Sequence, residues 1–214
     1  WSYYQLLPDT MHGFRLSREL RQQDGKLYLF EYRLPEMHRS VYTYYDKATK
    51  EFMAHSVIGL FDFCDINSIA TDLASFEQAL KRHLSVTLES LVRFDKAGLG
   101  SVFCDKRILE HDWQAVLPEQ ESGFSLFIHP QRPVKIVNGS FIIIDYCDFA
   151  AESNLTVYYN IYRDEFFSER RIRRLPEIVT DFDAKSLDAL TERLSAGLIP
   201  ALKDLRGILN NAVK

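Results

Sequence analysis

The chain has 214 residues, 46% of them apolar and 26% charged, with a net charge of -4. That composition is ordinary for a globular chain long enough to form one large domain or two small ones, and its mildly acidic balance argues against general nucleic-acid binding, which draws on a positive excess. No apolar run is long enough to span a bilayer, and three scattered Cys give no disulfide framework, which points to a reducing compartment, the cytoplasm.

The elements come twice. Leu7-Pro8-Asp9, then Gly13-Phe14 and Leu16, return as Leu117-Pro118-Glu119, then Gly123-Phe124 and Leu126. From Asp24 to Ser56 against Asn138 to Arg170 the match runs without gaps at an offset of 114 (Gly25 to Gly139). Its identical pairs include Tyr32/Tyr146, Tyr44/Tyr158, Tyr45/Tyr159 and Phe52/Phe166. Self-similarity at a fixed offset is the signature of duplication.

In the first copy Phe14, Leu16 and Leu20 alternate with polar residues, a half-buried strand. Asp24-Gly25 suits a two-residue turn in which both residues need positive φ. Leu27 to Phe30 is apolar on both faces, as in a covered central strand. Val41 to Tyr45 is a third strand and Phe52 to Phe61 a fourth. Ser75-x-x-Gln78 reads as a capping box, and it opens a helix whose stripe is Phe76, Leu80, Leu84, Leu88 and Leu91. In the connector, Asp105 is positioned to cap a short helix containing Ile108, Leu109 and Trp113.

The second copy repeats the turn at Asn138-Gly139, followed by strands at Phe141 to Tyr146, Leu155 to Ile161 and Phe166 to Arg174. Asp183 or Ser186 caps a last helix striped by Leu187, Leu190, Leu194, Leu198, Leu202 and Leu205, with Pro200 expected to kink or split it. The expected fold is therefore α+β. An antiparallel four-stranded meander with a C-terminal helix is internally duplicated into a pseudo-two-fold body. Repeat 1 covers 1–98, a connector 99–112 and repeat 2 113–214.

Motifs that would carry catalysis are missing from the sequence: there is no phosphate-cradling Gly loop, no Gly-x-Ser-x-Gly elbow and no Cys-x-x-Cys. Asp62 with Cys64, and Asp145 with Cys147, each share a strand face at i and i+2. A neighbouring Asp raises a thiol pKa, however, which opposes nucleophile activation. His111-Asp112 is a lone pair beside Trp113. No cofactor and no metal is expected.

Arg170, Arg171, Arg173 and Arg174 form the one charge cluster, at a position where the first copy is nearly apolar. A strand charged on both faces is expected at a sheet edge, and Arg favours bidentate contacts with carboxylate or phosphate, so the cluster reads as a docking site for an acidic partner or a phosphate group. Alternate Tyr positions, Tyr44 and Tyr158 among them, give each copy a Tyr-rich face of the kind used at protein interfaces. These features point to a non-enzymatic protein-binding module, whether chaperone-like, an adaptor or toxin-neutralising. It would engage an acidic protein partner through a Tyr-rich face (Tyr44, Tyr158) and the Arg strand. The alternative is an enzyme or small-ligand protein with a site where the repeats join, built on His111, Asp112, Cys104 or Cys147.

Overall fold

The computed structural model describes residues 1–136 and 138–211. Contacts group the chain into two units, Trp1–Phe94 and Asp95–Lys214. The last three residues of the second repeat lie outside the described part. Each unit is an antiparallel sheet followed by a long helix, so the architecture is α+β with duplicated halves.

The first unit runs α1 (Ser2–Leu6), β1 (Thr10–Met11), β2 (Phe14–Ser17), β3 (Arg21–Gln23), β4 (Lys26–Leu34), β5 (Arg39–Asp46), β6 (Glu51–Ile58), β7 (Phe61–Cys64) and α2 (Leu73–Val92). Its strand order is β1-β2-β4-β5-β6-β7, with β3 also on β4. The second runs α3 (Ser101–Asp105), β8 (Gln120–Glu121), β9 (Phe124–Ile128), β10 (Val134–Lys135), β11 (Ser140–Asp148), β12 (Ser153–Asn160), β13 (Glu165–Ile172), β14 (Leu175–Ala184) and α4 (Leu187–Asn211). Its order is β14-β13-β12-β11-β9-β8, with β10 on β11. Among the described residues no helix is long and apolar enough to cross a membrane.

The duplication extends to single hydrogen bonds. Tyr32 Oη donates to the Pro8 carbonyl at 2.7 Å, and Tyr146 Oη to the Pro118 carbonyl at 2.6 Å. Asp24-Gly25 and Asn138-Gly139 both take positive φ at each residue, at +49°/+77° and +57°/+70°. That is the backbone a two-residue turn between right-twisted strands requires. The β4–β5 ladder bulges between Tyr28 and Phe30 and the β11–β12 ladder between Ile142 and Ile144, the same positions at the repeat offset of 114.

Both helix stripes are buried: Phe76, Leu80, Leu84, Leu88 and Leu91 on α2, and Leu190, Leu194, Leu198, Leu202, Leu205 and Leu209 on α4. Burying each such side chain contributes about 1.5–3 kcal/mol. α2 lies on the face carrying Phe52, whose ring stacks on Phe76 at 5.5 Å. α4 lies on the face carrying Arg170, which reaches Asp204 at 3.2 Å.

Several local expectations are corrected. The N-cap of α2 is Asp72, whose carboxylate accepts from the Ser75 amide, so the helix starts before Ser75. α3 ends at Asp105 instead of beginning there. The segment 99–112 packs in the second unit, with Phe103 4.6 Å from the Phe141 ring. Leu20 is 61% exposed, because the chain leaves the ladder between β2 and β3. α4 runs unbroken through Pro200, where a proline removes one hydrogen bond without ending the helix. Each sheet also has a further strand, β7 and β14, after the turns Gly59-Leu60 and Arg173-Arg174. The Arg-bearing β13 is therefore interior, flanked by β12 and β14, and β14 is the edge.

Candidate functional site

Side chains alternate along a strand, so each sheet has a second face, opposite its helix. On that face the repeat offset pairs Glu31 with Asp145, Tyr42 with Thr156, Tyr44 with Tyr158, Met53 with Phe167, His55 with Glu169 and Val57 with Arg171. The positions match, while the chemistry at them differs.

In the first unit, register puts Tyr42 opposite His55 and His55 opposite Cys64. Asp62 accepts from Tyr42 Oη at 2.7 Å and from His55 Nδ1 at 2.7 Å. A carboxylate only accepts, so Nδ1 carries the proton, and Nε2 faces Tyr44 Oη at 3.1 Å. Burial pushes the Asp62 carboxyl up, but the bonds from His55 and Tyr42 outweigh it and hold the group below its ordinary range. Burial raises the Tyr42 phenol, and its bond to Asp62 adds to the effect. The Cys64 thiol is likewise raised by burial, then by Asp65 and Asp62. Tyr28 and Tyr42 pack around Tyr44 at 5.7 and 6.0 Å between ring centroids, with Lys26 Nζ 4.6 Å above the Tyr44 ring. A carboxylate-oriented imidazole is the geometry of a general base. Here both ring nitrogens are engaged and the nearby thiol is kept protonated, so the group acts as a closed brace.

In the second unit Asp145 is fully buried. It accepts from Thr156 Oγ1 at 2.7 Å, Asn154 Nδ2 at 2.8 Å and Cys147 Sγ at 2.9 Å. Burial raises its pKa to about 6, against the lowering effect of those three donors and of Arg171. The Cys147 thiol is pushed far up by burial and by Asp145. The shared face of Asp145 and Cys147 is realised as a hydrogen bond that locks the thiol instead of activating it.

Arg170 pairs with Glu177 at 2.7 Å and with Asp204, Arg171 with Glu169 at 2.5 Å, and Arg174 with Glu152 at 2.6 Å. Arg173 and Arg174 are the two residues of the β13–β14 turn, with φ of +51° and +70°. Tyr44 and Tyr158 are buried, 3% and 4% exposed, at equivalent places. The structure therefore gathers Arg170, Arg171, Arg173 and Arg174 along one hairpin, with Tyr158 two strands away from its outer edge. Tyr44 lies in the other unit. His111 meets Thr191 Oγ1 at 3.1 Å and the Trp113 ring at 4.6 Å, and Cys104 is exposed. Among the described residues no three His, Cys, Asp or Glu side chains gather as a metal site.

Two features were not expected from sequence. One is the Tyr-His-Asp brace, which becomes visible once β7 is placed beside β6. The other is a groove of about 560 Å³ where β14 leaves β13 near the start of α4, lined in part by Arg163, Glu165, Phe167, Ile178, Lys185 and Arg193. Beside it the β13–β14 hairpin exposes Leu175 (73%) and Ile178 (83%). The chain matches no protein-family model, and searches of the curated proteins and of the solved structures return no match.

Proposed function

We propose that the protein is a non-enzymatic protein-binding module that docks a partner along the Arg-bearing β13–β14 hairpin. The observation that carries this reading is the pair of large apolar side chains at that hairpin, Leu175 and Ile178, left in water. Three residues apart, they project from opposite faces of β14 among the charged residues of the hairpin, so a partner clasping this edge would meet apolar and charged groups together. The equivalent strand of the first unit buries Phe61 instead, so the feature belongs to one copy and not to the shared scaffold. Main-chain pairing along this edge is disfavoured. Ile172 and Leu175 close the two-residue turn, so Pro176 turns its nitrogen to the open edge and offers no N–H there. Side chains, not strand addition, then make the contact.

The Arg residues form an ion-paired rim, at which an acidic partner would compete with Glu152, Glu169 and Glu177 for the guanidinium groups. Tyr44 and Tyr158 serve by stiffening the two faces from within. The cytoplasm is the compartment assigned by this reading, which three free thiols fit. The test compares immobilised wild type with a Leu175→Glu/Ile178→Glu variant of unchanged melting temperature. A protein retained by the first, lost by the second and re-bound when purified supports the reading. Identical recovery by both forms sinks it.

A further inference from the structure

We propose that the groove beside this hairpin seats an extended acidic segment of the partner, an Asp or Glu carboxylate flanked by an apolar side chain. The inference rests on the docking reading above and supplies its ligand chemistry. Register shows how the groove arises. From Phe166 to Ser168 on β13, the opposing strand runs from Ala184 to Val179, so β14 swings out of the ladder. Asp183 Oδ1 takes the Ser168 amide at 3.1 Å in place of a strand carbonyl. The space left is about 560 Å³, enough for a few side chains of a bound segment.

Its charge is unevenly satisfied. Arg163 and Lys185 share one carboxylate, Glu165. Glu169 is held by Arg171 at 2.5 Å, and Asp183 by the Ser168 amide. Arg193 reaches only the Asp181 carbonyl, at 3.4 Å, and has no carboxylate partner among the described residues. Its guanidinium thus has donors to spare, and a carboxylate is the group that takes two of them in parallel. Phe167 and Ile178, both in the lining, supply the apolar contact for a neighbouring side chain.

The full chain is titrated by fluorescence anisotropy with a fluorescein-labelled peptide, acetyl-Glu-Leu-Glu-Phe-Asp-Leu-Glu amide, and with its counterpart carrying Lys for each acid. Saturable binding of the acidic peptide alone is expected, weakening with salt and falling about tenfold or more in Arg193→Glu. Equal binding of both peptides, no saturation at millimolar peptide, or unchanged affinity in a folded Arg193→Glu protein would overturn it. So would competition by citrate as strong as by unlabelled peptide, which makes the groove a small-anion site. If partner capture is lost in the Leu175/Ile178 variant but intact in Arg193→Glu, the docking surface stands and this groove assignment falls. Capture indifferent to both removes the docking reading itself.

Discussion

Asp145→Asn isolates the most unusual group in the protein. Burial holds its pKa at about 6, above the ordinary 3.8, a gap equivalent to about 3 kcal/mol. A folded-state pKa raised above the unfolded one means that the unfolded chain releases the proton first. Stability from this group is therefore complete below about pH 4, is lost as pH rises from there to about 6, and stays lost above. Asn keeps an oxygen for the Asn154 and Thr156 donors, carries no charge to desolvate, and gives up the Cys147 contact. The variant should lie within about 1 kcal/mol of wild type at acid pH. Its relative stability should then climb by about 3 kcal/mol by neutral pH. The assay is urea unfolding across that range in a Trp1→Phe background, where Trp113, buried in the second unit, is the remaining indole. Parallel pH profiles would refute the reasoning. So would a variant losing ground as pH rises, which would mean that Arg171 stabilises the carboxylate more than burial penalises it.

The other expectations use one copy as control for the other. Tyr32→Phe and Tyr146→Phe each remove a bond to a proline carbonyl, and each should cost about 1 kcal/mol. The two losses should add in the double variant, as read by chemical denaturation. Gly13→Ala and Gly123→Ala carry similar strain, with φ of +89° and +82°, but a Cβ at Gly123 lies 2.5 Å from Arg206 Nη2. That guanidinium bonds Asp148 at 2.6 Å, so Gly123→Ala should be worse than Gly13→Ala by about 1 kcal/mol in thermal melts. Asp62→Ala leaves Tyr42 and His55 without their acceptor and should cost about 1–2 kcal/mol at neutral pH. Because the Asp62 carboxyl is held below its ordinary 3.8, that difference should shrink as pH falls below this value. A difference independent of pH would show that the bonds do not depend on the carboxylate charge.

What the sequence revealed and what it hid have one physical cause. Elements defined by periodicity or by a required backbone were legible: the two leucine stripes, the Asp-Gly and Asn-Gly turns, the covered central strands. β7 and β14 were not, because a two-residue turn at Arg173-Arg174 takes positive φ at two residues that carry no turn signal. Their run of positive charge reads instead as one long strand. The repeat held the missing information, since Arg173 corresponds to Gly59, whose positive φ of 60° opens the matching turn. The faces opposite the helices were harder still. Asp145 owes its character to Asn154 and Thr156, and His55 to Asp62 and Tyr44, and such partners are fixed only by cross-strand register. Backbone bonds tie each sheet together whatever the side chains are, so both copies retain them. A face whose side chains mainly answer one another is free to change as a set, and Tyr-His-Asp in one unit stands where Thr, Glu and Pro stand in the other. The hairpin with Leu175 and Ile178 differs in another way. Leu175 has Ile172 opposite it and Ile178 has Glu169, yet both stay largely in water, whereas the first unit buries Phe61 at the place of Leu175.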